Sequence, residues 1–157
     1  MSKVSYIPKD YNNVTPYLIV KDAAQAIEYY KKVFGATETA RMNGPDGKVG
    51  HAELKIGNSH IMLADENPGM GEGHTSATTV GGSPVSLYVY LPDVDKVVKR
   101  AVDEGAKILK PVQDQFYGDR NGFIRDPFGH FWGVATHVED VSPSEMAERM
   151  KKMMSAA

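Results

Sequence analysis

An internal repeat constrains the fold of this chain more than any other feature of its sequence. Thr15–Ala36 reads TPYLIVKDAAQAIEYYKKVFGA, and Val85–Ala106 reads VSLYVYLPDVDKVVKRAVDEGA. Each segment has a strand-like run, an Asp, a helical pattern of apolar residues and a closing Gly-Ala pair. The same unit therefore occurs twice, and we predict that both copies fold alike.

Each copy is predicted to contain one amphipathic helix. In the second copy Asp93 is suited to cap this helix, and Gly105 suits the left-handed position that ends it. Asp22 and Gly35 take these places in the first copy. The apolar residues between each pair recur every three or four positions, which places them on one side of the helix.

Three strand-like stretches follow each helix, separated by turn sequences such as GPDG and DPFG. The order β-α-β-β-β, twice, predicts an α+β fold in a single domain. Repeat one spans about residues 14–65 and repeat two about residues 85–138. The predicted strands lie at about Thr37–Arg41, Val49–Ile56, His60–Ala64, Lys107–Pro111, Arg120–Arg125 and Phe131–His137.

Two further segments lie outside the repeats. Residues 66–84 are rich in Gly, Ser and Thr, and we interpret them as a linker or as a cover over a functional site. A C-terminal helix is predicted at about residues 143–154, because SPSE is a helix-start sequence. Its stripe of Met146, Met150 and Met153 must be buried against the chain's own sheet or against a partner.

Composition excludes several classes of protein. With a net charge of −2 and no Lys/Arg run longer than a pair, nucleic acid is not an expected partner. No apolar stretch is long enough to span a membrane, and MSKVSYIPKDYNN lacks the apolar run of a signal peptide. The absence of cysteine excludes thiolate metal sites and a cysteine nucleophile and is compatible with a reducing compartment. We therefore expect a cytoplasmic protein.

The tandem repeat with its DPFGH turn resembles the vicinal oxygen chelate superfamily, which includes glyoxalases, bleomycin-resistance proteins and extradiol dioxygenases. The string YGDR…DPFGHFWGVATHVEDVSPSEM is most similar to the PhnB-like branch, and the resemblance covers about residues 13–146. It implies that tandem βαβββ modules form a curved, half-barrel mixed sheet with helices on the convex face. Dimers are common in this family, so a homodimer is expected.

The metal-dependent members of the resembling family carry one His, Glu or Gln ligand on the first and last strand of each repeat. In this sequence those positions fall on Thr15, Met62, Ser86 (or Val85) and Gly133. None of these residues is a usual ligand for zinc, nickel, iron or manganese. The resemblance therefore supports the fold, and we expect neither a bound metal nor another cofactor.

Strand alternation separates an apolar face from a mixed face. On the apolar face Trp132 is interpreted as a core residue. The mixed face combines aromatic rings, hydroxyls, histidines and a glutamate, which is typical of a small-molecule site. The candidate ligand-binding residues are Tyr17, His51, Glu53, His60, Met62, Ser86, Tyr88, Tyr90 and Phe131, with Tyr117 and Arg120 at the edge of the site in the family architecture.

The polar candidates have alternative interpretations. His51 and Glu53 form an H-x-E pair that could bind a metal with His60 or act as a general base, or could be a hydrogen-bonded strand face. Arg120 could bind an anionic substrate through two hydrogen bonds, or could pair with Asp119 or Asp126.

Two functional hypotheses follow. The first is a metal-independent binding protein of the bleomycin-resistance kind, which holds a small aromatic or planar molecule between aromatic rings. The second is a glyoxalase- or isomerase-type enzyme with a shifted site that uses His51, Glu53 and His60.

Overall fold

The two copies of the repeat form two separate sheets. The computed structural model of the protein describes residues 4–155, and the chain divides into two compact units between Ser83 and Pro84. The first unit contains strands β1 (Tyr17–Val20), β2 (Thr37–Asn43), β3 (Val49–Ile56) and β4 (Ser59–Asp65), with helices α1 (Ala23–Phe34) and α2 (Ala77–Val80). The second contains β5 (Ser86–Tyr90), β6 (Lys107–Asp114), β7 (Asp119–Arg125) and β8 (Phe131–His137), with helices α3 (Val94–Asp103) and α4 (Pro143–Ser155).

Each sheet has four strands and is mixed. The strand order is β1-β4-β3-β2 in the first unit and β5-β8-β7-β6 in the second. β1 runs parallel to β4 and β5 parallel to β8, whereas the other neighbours are antiparallel. The strands of the two sheets are therefore arranged in the same order, so the two sequence repeats fold with the same topology. The predicted α+β fold with tandem βαβββ modules is confirmed.

The predicted helix caps are present. The Asp22 carboxylate accepts a hydrogen bond from the Gln25 backbone nitrogen at 2.9 Å, and the Asp93 carboxylate accepts one from that of Lys96 at 3.2 Å. Gly35 ends α1 with a φ of 68°, a conformation that side chains with a Cβ rarely adopt. The helices therefore begin and end where the sequence places their capping residues.

One face of each sheet is covered by its helix and holds the core. Leu54 and Leu63 are fully buried in the first unit, and Ile124 and Val134 in the second. Trp132 is only 2% exposed, which confirms its interpretation as a core residue. Strand alternation thus assigns these residues correctly to the core. The polar and aromatic side chains of the mixed face lie on the opposite face of each sheet.

The DPFG turn between β7 and β8 is built around a buried aspartate. The Asp126 carboxylate accepts hydrogen bonds of 2.9 Å from the backbone nitrogens of Phe128 and His130 and from the Trp132 indole nitrogen. Gly129 has a φ of 90°. One carboxylate therefore fixes both the turn and the orientation of the Trp132 ring.

The segment between the repeats contains regular structure. It includes a short 3-10 helix at Pro68–Met70 in addition to α2. Glu66 anchors it, because its carboxylate accepts hydrogen bonds from the Ser76 backbone nitrogen (3.0 Å) and the Thr79 hydroxyl (2.8 Å). Hydrogen bonds from the side chain and backbone of Ser76 and from Thr79 lower the pKa of Glu66 to about 2. The segment is thus held to the end of β4 by an ionised carboxylate.

The C-terminal helix α4 begins as predicted, with the Ser142 hydroxyl accepting a hydrogen bond from the Glu145 backbone nitrogen at 3.3 Å. None of the residues of α4 is buried. Among the described residues, no strand or other helix packs against it. Met146 is half-buried, whereas Met150 and Met153 are exposed. Most of the methionine stripe is therefore not buried against the chain's own sheet, which was one of the two alternatives.

Candidate functional site

The first unit brings five predicted site residues to one sheet face. Tyr17 on β1 lies opposite Met62 on β4, and Met62 lies opposite Glu53 on β3. His51 and His60 have the same strand parity as Glu53 and Met62 respectively. This face is the one that α1 does not cover, so its polar side chains can meet one another and a ligand.

A continuous chain of hydrogen bonds crosses this face. The Tyr17 hydroxyl lies 2.9 Å from His51 Nδ1, and His51 Nε2 lies 3.1 Å from Glu53 Oε1. The hydroxyl of Tyr11 donates to the other oxygen of the Glu53 carboxylate. Hydrogen bonds from Tyr11 and His51 lower the pKa of Glu53, while burial raises the pKa of Tyr17. The chain thus joins a protonated phenol, an imidazole and a carboxylate.

Tyr11 is a site residue that the sequence analysis missed. Its ring stacks on His60 with a centroid distance of 4.2 Å, and burial together with Glu53 raises the pKa of its hydroxyl to about 12. It lies before β1 in an irregular segment, where no periodic pattern indicates a role. His60 is buried beneath this ring, so the stack with Tyr11 fixes its imidazole.

In the second unit the uncovered face carries an aromatic cluster. The Tyr88 ring lies 5.3 Å from that of Tyr90 and 6.1 Å from that of Phe123, measured between ring centroids. The amide of Asn121 donates to the hydroxyls of Tyr88 (2.8 Å) and Tyr117 (2.7 Å). Burial raises the pKa of Tyr88, so its phenol is protonated at neutral pH. The Asn121 side chain thus holds two of the predicted site hydroxyls together.

A second network fixes Tyr90. Its hydroxyl donates to the buried Asp119 carboxylate at 2.8 Å, and this bond raises the pKa of Tyr90 to about 12. His137 Nδ1 lies 2.8 Å from the other Asp119 oxygen, and His137 Nε2 lies 3.0 Å from Asp140. These carboxylates raise the pKa of His137. Asp119, Asn121 and Phe123 all lie on the same face of β7, which the sequence analysis did not use.

Arg120 forms ion pairs, but with carboxylates other than the two that were considered. Its guanidinium forms two hydrogen bonds to Asp95, of 2.7 and 2.8 Å, and one to Asp114 at 3.0 Å. Its partners are thus neither Asp119 nor Asp126, which the sequence analysis considered. Arg120 also has the strand parity of the buried Ile124, which places it on the helix-covered side of β7. It therefore stands away from the tyrosine face, because neighbouring residues of a strand alternate.

Ser86 and Phe131 complete the predicted set in the second unit. They lie opposite each other in the β5–β8 pair, at the end of the sheet where both strands begin. Ser86 is exposed and Phe131 is half-buried. They share the strand parity of Tyr88 and Gly133, and so extend the face on which the tyrosines lie.

The positions that carry metal ligands in the resembling family do not fit a metal centre here. A Cβ built on Gly133 would lie 2.7 Å from Cε2 of Tyr88 and 3.1 Å from Cε1 of Phe123, so an aromatic ring takes the place of a ligand side chain. Met62 and Ser86 offer a thioether and a hydroxyl. Within residues 4–155 no group of three or more His, Asp or Glu side chains is placed to hold a metal ion.

A cavity of about 500 Å³ lies in the first unit beside Tyr17. Its walls come from the ends of β1 and β4, from the turn between β2 and β3, and from the segment that follows β4. Tyr17 and Ile19 form part of its wall together with Lys48, Asn67 and His74. Cavities of this size accommodate small organic molecules.

Comparison with known proteins identifies the family. The sequence model of the Glyoxalase/Bleomycin resistance protein/Dioxygenase superfamily matches residues 11–134 of the chain. The protein belongs to this superfamily, as its resemblance to the vicinal oxygen chelate proteins implied.

Individual relatives are similar over most of the chain. An uncharacterized protein of Mycobacterium tuberculosis is 41% identical over 138 residues, which cover 87% of this chain and 81% of the relative. The crystal structure of TioX from Micromonospora sp. ML1 covers 83% of this chain and all of its own, with a TM-score of 0.60 and 27% identity. The PhnB protein of Bacillus cereus shares the fold, with a TM-score of 0.62 at 19% identity over 80% of this chain and 99% of its own.

Across residues 4–155 no helix is both long enough and apolar enough to cross a membrane.

Proposed function

We propose that the protein binds a small aromatic or planar molecule on the tyrosine face of its second unit, formed by Tyr88, Tyr90, Tyr117 and Phe123. The observation that carries this proposal is the pairing of Gly133 with Tyr88. The glycine provides the space that the Tyr88 ring occupies, at a position where metal-dependent relatives carry a ligand. On β8, an aromatic surface thus takes the place of the metal ligand that metal-dependent relatives carry.

The tyrosine face is exposed but held in place. Tyr88 is 44% exposed and Tyr90 is 59% exposed, so both rings can contact a ligand. Their hydroxyls are fixed by Asn121 and Asp119. Because the rings are already oriented, a ligand that stacks on them loses little further side-chain entropy, which favours affinity.

The hydroxyls of Tyr88 and Tyr117, which Asn121 holds in place, also indicate which chemical group of a ligand is recognised. Tyr88 and Tyr117 both accept from the Asn121 amide, and the pair retains a phenolic O–H that can donate to a ligand. A planar ring with a hydrogen-bond acceptor on its edge therefore fits this face better than a pure hydrocarbon.

A matched pair of probes tests the proposal. Quinoline and naphthalene have nearly the same shape, and only quinoline carries an acceptor nitrogen. We expect quinoline to bind more tightly by about tenfold, the effect of one additional hydrogen bond. Binding is measured from chemical-shift changes in ¹⁵N-labelled protein. Equal binding of the two probes would argue against recognition by a phenolic O–H.

Substitutions on one strand separate binding from stability. Tyr88→Ala should weaken quinoline binding about tenfold, because the ring contact is lost. Tyr90→Ala should weaken it as well. Leu87→Ala is the matched control on the opposite face of β5, and should lower stability while leaving the affinity of the folded protein unchanged. The reverse pattern would mean that the ligand face is assigned to the wrong side of the sheet.

The second candidate function is acid–base catalysis by a lyase- or isomerase-type member of the superfamily, with a site in the first unit. It is favoured by the hydrogen bond between His51 and Glu53, which is of the kind that orients a general base. His60 was part of this hypothesis, and it stacks on Tyr11, whose hydroxyl donates to Glu53.

We further propose that the protein acts as a homodimer in the cytoplasm. Neither sheet closes on itself, so β1, β2, β5 and β6 are edge strands, and such edges favour cover by a partner. The absence of cysteine supports a reducing compartment.

A further inference from the structure

We propose that Tyr17 is an activated nucleophile, prepared by His51 and Glu53 to accept an acyl group from a small activated ester. This inference deepens the acid–base candidate for the first unit, on which it rests. It starts from the hydrogen-bond chain described above, in which the Tyr17 hydroxyl lies 2.9 Å from His51 Nδ1 and His51 Nε2 lies 3.1 Å from Glu53.

The partners in this chain fix where each hydrogen resides. A carboxylate can only accept hydrogen bonds, and Glu53 receives them from both Tyr11 and His51. His51 Nε2 must therefore carry the hydrogen. In a neutral imidazole Nδ1 is then the free acceptor, and it receives the hydrogen bond from Tyr17. The imidazole thus stands ready to take the phenolic proton, and Glu53 stabilises the imidazolium that results.

The proposed acyl transfer needs no reactant other than the ester. The Tyr17 oxygen attacks the acyl carbon, a new ester bond forms, and the bond between that carbon and the aryloxy oxygen breaks. The phenolic proton passes to His51 Nδ1, and the aryloxide leaves with its electron pair. Tyr17 lines the cavity of about 500 Å³, which gives a small ester space beside this residue.

The test uses 4-nitrophenyl acetate as the probe. We expect a burst of 4-nitrophenolate that approaches one equivalent per chain, with the acetyl group found on Tyr17 by peptide mass spectrometry. Tyr17→Phe should abolish the burst. His51→Gln should slow it about 100-fold, the lower end of the usual contribution of a general base. Glu53→Gln should also slow it, since it removes the charge that stabilises the imidazolium.

Tyr6 provides the matched control, because it lies in the same unit and is highly exposed. Tyr6→Phe should leave the burst unchanged. Acetylation of Tyr6 and Tyr17 at similar rates, or an unchanged rate in folded His51→Gln, would overturn the proposal. Quinoline binding, which depends on the second unit, is measured on the same variants. Loss of quinoline binding would count against the binding proposal alone. Absence of the 4-nitrophenolate burst would count against the nucleophile proposal for Tyr17 alone.

A separate observation carries a second inference, which concerns α4 and deepens the proposed homodimer. This helix of 13 residues has no buried residue, and its Met150 and Met153 are 48% and 53% exposed. It is held to the second unit by Arg149, which binds Glu139 at 2.7 and 2.8 Å and the Phe116 carbonyl at 3.3 Å. An isolated helix of this length is marginal in water, so its apolar stripe needs a partner.

We infer that the partner is α4 of a second copy, packed antiparallel. Glu145 lies beside the methionine stripe in the acidic first half of the helix, and Lys152 lies beside it on the same side, two turns later, in the basic second half. An antiparallel pair places each acidic half beside the basic half of the other copy, whereas a parallel pair would place like charges together. The methionines supply the adaptable apolar contact between the two helices.

Charge exchange in the full chain tests this arrangement. By light scattering at micromolar concentration we expect a dimer, twice the chain mass of 17.2 kDa. Glu145→Lys and Lys152→Glu should each raise the dimer dissociation constant about tenfold or more, and the double variant should restore it. Met150→Asp should give a monomer, while Met70→Asp, at an exposed methionine away from the edge strands, should not.

Each outcome of this test is decisive. A wild-type monomer would refute both α4 pairing and the proposed homodimer. A dimer that is unaffected by Met150→Asp would preserve the homodimer and place its interface elsewhere. Loss of the dimer in both single variants without rescue in the double variant would refute the antiparallel arrangement.

Discussion

Gly133→Ala should disturb the tyrosine face more than its single added methyl group suggests. The new Cβ would lie 2.7 Å from Cε2 of Tyr88 and 3.1 Å from Cε1 of Phe123, well inside ordinary contact distance. The Tyr88 ring must therefore move away. Its hydroxyl is held by Asn121 at 2.8 Å, so the movement also lengthens or breaks this hydrogen bond.

The expected loss of stability can be worked out from these contacts. Overpacking by one methyl group costs about 1–3 kcal/mol, and the hydrogen bond contributes about 0.5–1.5 kcal/mol. Replacing a strand glycine by alanine returns about 0.5–1 kcal/mol through the unfolded state. The net destabilisation should be about 1–2 kcal/mol, since the exposed Tyr88 ring can relieve part of the overlap by rotating.

A double-mutant cycle in urea isolates the contact. In a Tyr88→Ala background the clash with the ring is gone, so Gly133→Ala should be nearly neutral there. The coupling between the two substitutions should therefore be about 1 kcal/mol or more. If Gly133→Ala had the same effect in both backgrounds, the argument that this glycine exists to admit the Tyr88 ring would be refuted.

Three further predictions concern the turn, metal content and pH. Gly129→Val should destabilise the protein by about 1 kcal/mol or more, because the φ of 90° in the DPFG turn disfavours a β-branched residue; an unchanged urea midpoint would contradict this. Protein purified without a histidine tag should contain less than one equivalent of divalent metal by mass spectrometry, and stoichiometric zinc, nickel, iron or manganese would overturn the metal-independent proposal. Asp119 and Asp140 raise the folded-state pKa of His137 above its ordinary value of 6.5, so its stabilising contribution is complete below pH 6.5 and is lost as the pH rises through that raised pKa. Stability measured in urea at several pH values should accordingly fall more steeply across this window in the wild type than in His137→Gln, and parallel curves would exclude the effect.

The fold was predictable because its signals are local and periodic. The caps at Asp22 and Asp93 and the alternation along the strands depend on residues that are neighbours in the chain. The absence of ligand side chains at Met62 and Gly133 was also visible in the sequence. These signals fix the sheets and their two faces, because a shift of one residue would turn the buried side chains outward.

The site was only partly predictable, because its contacts join residues that are distant in sequence. Tyr11 reaches Glu53 from an irregular segment, and nothing in its surroundings indicates this contact. Asn121 could have been found, since alternation from the core residue Ile124 places it on the face opposite to Arg120. The partners of Arg120 were missed because ion pairs between elements leave no trace in a single sequence.

Each hydrogen bond described in the two polar networks joins residues of the same unit. Tyr11, Tyr17, His51 and Glu53 bond among themselves, and Tyr88, Tyr117 and Asn121 do so separately. After duplication of an ancestral module, substitutions could therefore accumulate in one network without leaving a broken bond in the other. A directed-evolution library for a new ligand can accordingly be confined to one half of the gene.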